Sequence, residues 1–191
     1  IFAGRGVRDR DELELGLDRL LDFHALRDID KAAEIITDAV RADRRILVFG
    51  DYDVDGATST ALTVECLRNF GASHVTFMVP DRQKNGYGLN AAVIDDLKEK
   101  ENPGLIITVD NGVSSAEGIS EAKRLGISVV ITDHHLFSGE LPEADAVVNP
   151  NCEGDSFPSK NLAGVGVAFY VMTAVRARLR DENWFEEKGI E

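Results

Sequence analysis

The sequence has few cysteines and no long hydrophobic run. Its 191 residues include two cysteines, Cys66 and Cys152, without metal-binding spacing. We therefore expect no disulfide framework, as in proteins of a reducing cytoplasm. No apolar stretch approaches the roughly 18 residues of a membrane-spanning helix, and no signal peptide is visible. We expect a cytoplasmic protein with no membrane partner.

Basic residues are scarce beside acidic ones. Lys and Arg number 21 against 34 Asp and Glu, which gives a formal net charge of −13. This balance argues against binding nucleic acid through overall charge. It does not exclude a nucleic-acid enzyme, because a metal site concentrates acidic residues and basic surfaces can lie elsewhere. With 43% hydrophobic residues, the chain can bury one good core, or one large and one small unit.

Beyond residue 43, apolar runs alternate with helical patterns. The predicted strands are 45–50, 74–79, 104–109, 128–132 and 146–149, and the predicted helices are 57–70, 90–100, 115–125 and 162–180. This alternation predicts an α/β fold, a parallel sheet of about five strands with helices on both faces. Two earlier helical patterns, at 8–21 and 30–42, predict a helical appendage. We therefore divide the chain into an appendage, 1–43, and a domain that contains the sheet, 44–191.

Three aspartates, Asp51, Asp53 and Asp55, follow the first predicted strand at every second position. In an extended segment they would point to one side. Two carboxylates about 4 Å apart repel by about 4 kcal/mol at an effective dielectric near 20, and a shared cation would relieve this. Alternatively, these residues could be ordinary turn and helix-cap aspartates. An EF-hand is rejected, because its twelfth position is Leu62 instead of Glu and a strand precedes it.

Two further strands end in residues that can bind metals. Asp110 follows the third predicted strand, and Asp133-His134-His135 follows the fourth. Each alone could be structural, Asp110 as a turn residue and the histidines as surface residues. The carboxyl ends of parallel strands meet at one edge of the sheet, however, so their conjunction predicts a metal site. Carboxylates and imidazole without thiolate suit manganese or magnesium, and a bridging carboxylate suggests two ions about 3.5–4 Å apart.

The loop after the second predicted strand could bind substrate. Arg82 could hold a phosphate through its planar guanidinium, and Tyr87 could offer a hydroxyl or a stacking face. The alternative is an ordinary solvated Asn-Gly turn. Gly164 and Gly166, near the start of the last predicted helix, are best explained by close helix packing.

Four segments resemble, in order, the motifs of the DHH phosphoesterase superfamily: residues 48–56, the Arg82 loop, 108–112 and 132–135. Segments 50–60, 86–89, 109–112 and 157–169 are similar, more closely, to the bacterial exonucleases of that superfamily that act on single-stranded DNA. The similarity covers nearly the whole chain, including residues 4–7.

The resemblance implies a metal-dependent hydrolase that removes mononucleotides from the 5′ end of single-stranded DNA in repair and recombination. The implied metal ligands are Asp51, Asp53, Asp55, Asp110 and His134, and the implied catalytic residues are His135, Asp110 and Asp53. His135 would contact the scissile phosphate, Asp133 would orient the motif, and Arg82 and Tyr87 would meet the nucleic acid. Single-stranded-DNA-binding protein and a RecQ-type helicase are expected partners in a bacterial cytoplasm.

Other functions in the superfamily stay open. The chain could be a phosphodiesterase for short RNA or cyclic dinucleotides, or a non-catalytic replication scaffold, although a scaffold would be expected to have lost ligands. A pyrophosphatase is disfavoured, because its first motif has His where Asp51 stands. The family carries a further metal-binding Asp downstream of the last predicted helix, which is not found after Arg180. We expect the N-terminal catalytic part of a longer enzyme, weak or inactive in isolation.

Overall fold

A computed structural model describes residues 1–9, 11–14, 16–80 and 88–190. Its five parallel strands form one sheet in the order β2-β1-β3-β4-β5. The strands are β1 (Ile46–Phe49), β2 (Val75–Met78), β3 (Leu105–Val109), β4 (Ser128–Thr132) and β5 (Ala146–Val148). The helices are α1 (Ile29–Arg41), α2 (Val54–Asn69), α3 (Ala91–Lys100), α4 (Ala116–Arg124), α5 (Gly164–Asp181) and α6 (Trp184–Lys188). The predicted parallel sheet is confirmed, with strand ends within one residue of those expected.

Both faces of the sheet are covered by helices, as predicted. Side chains along β1 alternate between two hydrophobic clusters, with Ile46 and Val48 in one and Leu47 and Phe49 in the other. Helices α1, α2 and α5 supply the first cluster, and α3 and α4 supply the second. Every residue of β1 and β3 is buried. Apart from Thr108, these strands are therefore apolar, without the polar alternation of a half-exposed strand.

The strand order places a crevice between β1 and β3. From β1 the chain adds β2 on one side and then crosses to add β3 on the other. Helices leave the two strands in different directions at such a switch point, and ligands bind outside the carboxyl ends there. Phe49 of β1 pairs with Thr108 of β3. The acidic residues just beyond these two strands therefore flank the crevice.

The helix predicted for residues 8–21 is wrong. The described residues there form short 3-10 turns, Asp11–Leu13 and Leu17–Arg19, separated by an extended Gly16. Leu17 is 78% exposed, and Leu13, Leu20 and Leu21 are also exposed. A short amphipathic helix is marginal in water unless its apolar face is buried. The leucine spacing was helical, but little of this face is buried in the described part of the chain.

The second predicted N-terminal helix does form, as α1, and it belongs to the core. Ile36 is fully buried, and α1 packs against α5 and β5. Just before the helix, the carboxylate of Asp28 accepts a hydrogen bond from the backbone N of Val147 in β5, at 3.2 Å. The division of the chain at residue 43 stays a prediction, and α1 lies in the same layer as α2 and α5.

The last helix, α6, was not predicted. Its buried Trp184 donates a hydrogen bond from Nε1 to the carbonyl of Phe70, at 2.8 Å, beyond the end of α2. Among the residues that the structure describes, no helix is both long and apolar enough to span a bilayer.

The burial of α1 predicts a large difference between two substitutions in the N-terminal region. Ile36→Ala should lower the free energy of unfolding by about 2–5 kcal/mol, because it leaves a cavity in the core. Leu17→Ala, at an exposed position, should change it by no more than about 0.5 kcal/mol. Urea denaturation measures both. A small effect in both variants would mean that α1 is a detached appendage.

Candidate metal centre

The first acidic motif spans the turn between β1 and α2. Asp51 is buried, and its Oδ1 accepts a hydrogen bond from the backbone N of Tyr52 at 2.7 Å. Asp53 is the N-cap of α2, and its Oδ1 accepts from the backbone N of Gly56 at 2.9 Å. The expected extended segment is therefore wrong at Asp55, which lies in the first helical turn. Capping by Asp53 starts the helix three residues earlier than the apolar pattern suggested.

Asp110 lies in the crevice, directly after β3. Its backbone is in the left-handed region with φ of 60°, which Asp tolerates better than most residues. Its backbone N donates to the carbonyl of Thr132, at 3.0 Å, and its side chain is buried. The side-chain amide of the next residue, Asn111, donates to the carbonyls of Phe49 and Val109, at 3.2 and 2.9 Å. These bonds join the ends of β1, β3 and β4 around the Asp110 carboxylate.

The Asp110 carboxylate is only partly compensated by the protein, through the charge of His135. Its buried Oδ1 has no hydrogen-bond partner, and the Nε2 of His134, 3.0 Å away, is not in hydrogen-bonding geometry. Burial, reinforced by the nearby charges of Asp55 and Asp53, raises the pKa of Asp110 to about 7. A buried carboxylate among other carboxylates is favoured in its ionised form only when a positive charge joins it. This geometry fits a bound cation.

Asp133 holds both histidines of the fourth motif. Its buried Oδ1 accepts hydrogen bonds from the backbone N of His134 at 2.7 Å and of His135 at 3.1 Å, and lies 2.7 Å from the His135 Nδ1. Its Oδ2 accepts from the backbone N of Val113, at 3.0 Å. The hydrogen bond to Asp133 is the main reason that the pKa of His135 is raised to about 9. Asp133 therefore favours the protonated form of the His135 ring in the metal-free protein.

The potential ligands form two groups that share Asp110. One oxygen each from Asp51, Asp53 and Asp110 lie within 4.8 Å of one another, and so do ligand atoms of Asp110, His134 and His135. Beside the second group, the Oδ2 of Asp55 lies 3.5 Å from the Nε2 of His134. Two adjacent groups with a common carboxylate are what a pair of bridged divalent ions requires. The oxygen-rich donor set suits manganese or magnesium.

The N-terminus of α5 contacts two of the potential ligands. The Asp55 carboxylate accepts hydrogen bonds from the backbone N of Gly164 at 2.7 Å and of Val165 at 2.8 Å. A helix N-terminus favours such an anion. A Cβ on Gly164 would lie 2.5 Å from the Oδ1 of Asp110, so only glycine lets the helix approach this closely. Sequence analysis predicted close packing for Gly164 but not that it packs against Asp110.

Two site residues were missed from the sequence. The side-chain amide of Asn149 donates to the carbonyl of His135 at 3.0 Å, and that of Asn151 donates to the carbonyl of His134 at 2.5 Å. Both follow β5, and this position was the available signal, because the carboxyl end of β5 lies at the same edge of the sheet. Arg82 and Tyr87 lie outside the described residues, so their predicted contacts stay predictions.

Comparison with known proteins gives the family of this chain. The family model described as "DHH family, N-terminal domain" matches residues 45–189. The chain is 50% identical over 190 residues to the single-stranded-DNA-specific exonuclease RecJ of Salmonella typhimurium, a match that covers 100% of this chain and 33% of that protein. The chain thus spans about a third of the length of its curated relatives.

Two solved structures have the same fold. The crystal structure of an exonuclease RecJ bound to manganese matches with a TM-score of 0.74 and 34% identity, over 84% of this chain and 40% of that one. RecJ from Thermus thermophilus in complex with Mn²⁺ matches with a TM-score of 0.75 and 31% identity, over 93% and 24% of the two chains. The resemblance to the superfamily's single-strand-specific exonucleases is confirmed. With most of its residues matched by the family model, the chain belongs to the DHH family.

Proposed function

We propose that this chain provides the two-metal centre of an exonuclease that degrades single-stranded DNA from its 5′ end. The observation that carries this proposal is the convergence of two potential ligand groups on the buried Asp110 carboxylate. The RecJ relatives, named as single-stranded-DNA-specific exonucleases, support the substrate class, and the manganese-bound structure supports the metal. Because those relatives are about three times longer, the proposed activity is that of a protein containing this chain as its N-terminal catalytic part.

Asp110 is proposed to bridge two divalent ions, manganese or magnesium. One ion would be held by Asp51, Asp53 and Asp110, and the other by Asp110, His134 and Asp55. The first set is one of the two ligand groups described above. The second set is supported by the Nε2 of His134, which lies 3.0 Å from the Oδ1 of Asp110 and 3.5 Å from the Oδ2 of Asp55. Ions held by these residues would lower the pKa of a bound water and would stabilise negative charge on the scissile phosphate.

The side chains around the metals would position the substrate. His135 is held through Nδ1 by Asp133, which leaves Nε2 to donate a hydrogen bond to an oxygen of the scissile phosphate. Asp133 raises the pKa of His135 in the metal-free protein, which favours the protonated ring and a stronger bond of this kind. Asp53 combines two roles, as a ligand through one carboxylate oxygen and as the cap that fixes the start of α2.

Arg82 is proposed to bind a terminal 5′ phosphate, with Tyr87 against the nucleic acid. A terminal phosphate carries more negative charge than an internal diester, so a guanidinium beyond the metals favours it. The single-stranded-DNA-binding protein, the RecQ-type helicase and the cytoplasmic location stay predictions from the family resemblance.

Removing the bridging carboxylate should abolish metal binding. Calorimetry of wild type should show Mn²⁺ binding that weakens as the pH falls through about 7, where Asp110 takes up a proton. Asp110→Asn should lose this binding. Because the folded-state pKa of Asp110 lies above its ordinary value, ionisation destabilises the metal-free fold as the pH rises from about 4 to about 7. The metal-free variant lacks this destabilising charge. Its Tm at pH 8 should therefore exceed that of wild type by about 2–4 °C for each kcal/mol of stability regained.

Asp181→Asn is the matched control, because this carboxylate is 75% exposed on α5. It should bind Mn²⁺ like wild type and keep the wild-type Tm. If Asp110→Asn binds Mn²⁺ with wild-type affinity, the two-metal proposal is wrong.

Two glycine substitutions in the first turn of α5 should differ in their effect on the metals. Gly164→Ala should weaken Mn²⁺ binding at least about tenfold, since the new methyl group displaces the Asp110 carboxylate. Gly166→Ala should leave Mn²⁺ affinity nearly unchanged, because its methyl group meets the flexible end of Leu162. Both gain the same helix propensity, so the pair isolates the contact with Asp110. Equal Mn²⁺ affinities in the two variants would contradict this role for Gly164.

The substrate class is tested in a protein as long as the relatives. With Mn²⁺ or Mg²⁺, kcat/KM should be higher on 5′-labelled single-stranded DNA than on duplex DNA, short RNA or a cyclic dinucleotide. Arg82→Ala should lower kcat/KM on 5′-phosphorylated strands by about 1.5–3 kcal/mol, roughly ten- to 150-fold, as expected for a charge-assisted hydrogen bond. Its Mn²⁺ affinity should not change.

Arg45→Ala is the control, because this exposed arginine lies before β1, at the opposite edge of the sheet. Equal losses on 5′-phosphate and 5′-hydroxyl strands would make Arg82 a general backbone contact. No loss on either would place recognition of the 5′ end elsewhere. Preference for RNA, a cyclic dinucleotide or duplex DNA would overturn the proposed substrate.

A further inference from the structure

We propose that Asn149 and Asn151 are positioning residues of the metal centre. Their side-chain amides fix the backbone of His134 and His135, and so fix the directions in which the two imidazoles leave the chain. The inference rests on the proposed function of these histidines, as metal ligand and phosphate contact. It adds two residues that lie outside the Asp133-His134-His135 motif.

The backbone of the two histidines has every polar group satisfied by a side chain. Both N–H groups donate to Oδ1 of Asp133, at 2.7 and 3.1 Å. The carbonyl of His134 accepts from the Nδ2 of Asn151 at 2.5 Å, and the carbonyl of His135 accepts from the Nδ2 of Asn149 at 3.0 Å. Since this dipeptide lies beyond the end of β4, no strand partner holds it, and three side chains do so instead.

The two asparagines are coupled to each other. Asn149 is fully buried, and its Oδ1 accepts a hydrogen bond from the backbone N of Asn151, at 2.8 Å. Between them, the carbonyl of Pro150 accepts from the Nζ of Lys160, at 2.6 Å. Lys160 also lies 3.2 Å from the carboxylate of Asp155. These bonds fix the backbone segment that carries the two asparagine side chains.

Fixing N–H and C=O on both sides of a residue fixes its Cα–Cβ direction. Only the side-chain torsions of His134 then remain free, and its Nε2 already lies 3.0 Å from the Oδ1 of Asp110. Losing an asparagine donor would leave a carbonyl unpaired and let this peptide rotate. Residues that orient a metal ligand typically change metal affinity by about ten- to a hundredfold when substituted.

The test uses substitutions that remove the side-chain N–H donor of each asparagine. Asn151→Ala removes the donor without adding charge. Asn151→Asp keeps the size, cannot donate to the His134 carbonyl, and adds a charge that by itself would attract cations. Asn149→Asp keeps the oxygen that accepts from Asn151, loses the donor to His135 and adds a charge at a buried position. Asn69→Ala, at an exposed position at the end of α2, is the control.

Calorimetry with Mn²⁺ on this chain gives the first measurement. In both Asn151 variants, the affinity for the Mn²⁺ ion held by His134 should fall by about ten- to a hundredfold. The affinity for the ion held by Asp51 and Asp53 should stay within about threefold of wild type. The Tm of the metal-free Asn151 variants should lie no more than about 6 °C below that of Asn69→Ala, the scale of one lost hydrogen bond. A loss confined to one of two ions is not expected from general destabilisation of the fold.

Asn149→Asp gives the second measurement, in a protein as long as the relatives. Because it acts through His135, it should lower kcat on single-stranded DNA about tenfold with KM and both Mn²⁺ affinities nearly unchanged. If this buried substitution prevents folding, the Asn151 variants decide the question.

The outcomes separate this inference from the proposed function. If wild type binds no pair of ions, the proposed function fails, and this inference fails with it. If wild type binds two ions and Asn151→Ala binds them equally well, the asparagines have no positioning role and the metal centre stands. Equal weakening of both ions together with a lowered Tm would assign Asn151 a purely structural role.

Discussion

The centre of this fold depends on one buried negative charge, that of Asp110. The strand order opens a crevice between β1 and β3, and the left-handed turn after β3 places this carboxylate inside it. Asn111 joins the strand ends beneath it, and α5 packs against it through Gly164. The surrounding elements leave the carboxylate little room to move away from its neighbours. A protein that buries like charges in this way requires a counter-charge. The sheet geometry that buries Asp110 therefore also favours metal binding.

Most of the fold could be predicted because burial on both faces leaves a strong sequence signal. The strands are short runs of apolar residues, and the helices between them have apolar stripes. The predicted ends of these elements therefore lie close to the observed ones. The helix predicted for residues 8–21 failed for the complementary reason. Its leucines have helical spacing, but spacing cannot tell whether another element will cover them, and here Leu17 remains exposed. Periodicity predicts a helix only where tertiary packing is available to stabilise it.

The site was predictable where it depends on strand ends and less so where it depends on distant parts of the chain. Asp51, Asp110 and His134 each follow a predicted strand, and a parallel sheet brings such positions together. The contact between Asp55 and Gly164 joins residues more than a hundred positions apart, through a helix end whose location no local pattern fixes. Asn149 was predicted as the last residue of a strand and Asn151 as part of an irregular segment, and neither position reveals the carbonyl that each side-chain amide contacts.

The position of β1 in the sheet has a consequence for the order in which the molecule can assemble. The strand that leads the sequence is internal to the sheet, and β3, β4 and β5 are added outward from it in chain order. During synthesis, each strand after β2 can therefore pair with an edge that already exists. Helix α1 leaves the ribosome before any strand, yet it packs on β5 and α5, and the Asp28 bond ends on Val147. Although α1 precedes every strand of the sheet in the chain, it is thus among the last of these elements to reach its place, because β5 and α5 must be present before it can pack on them.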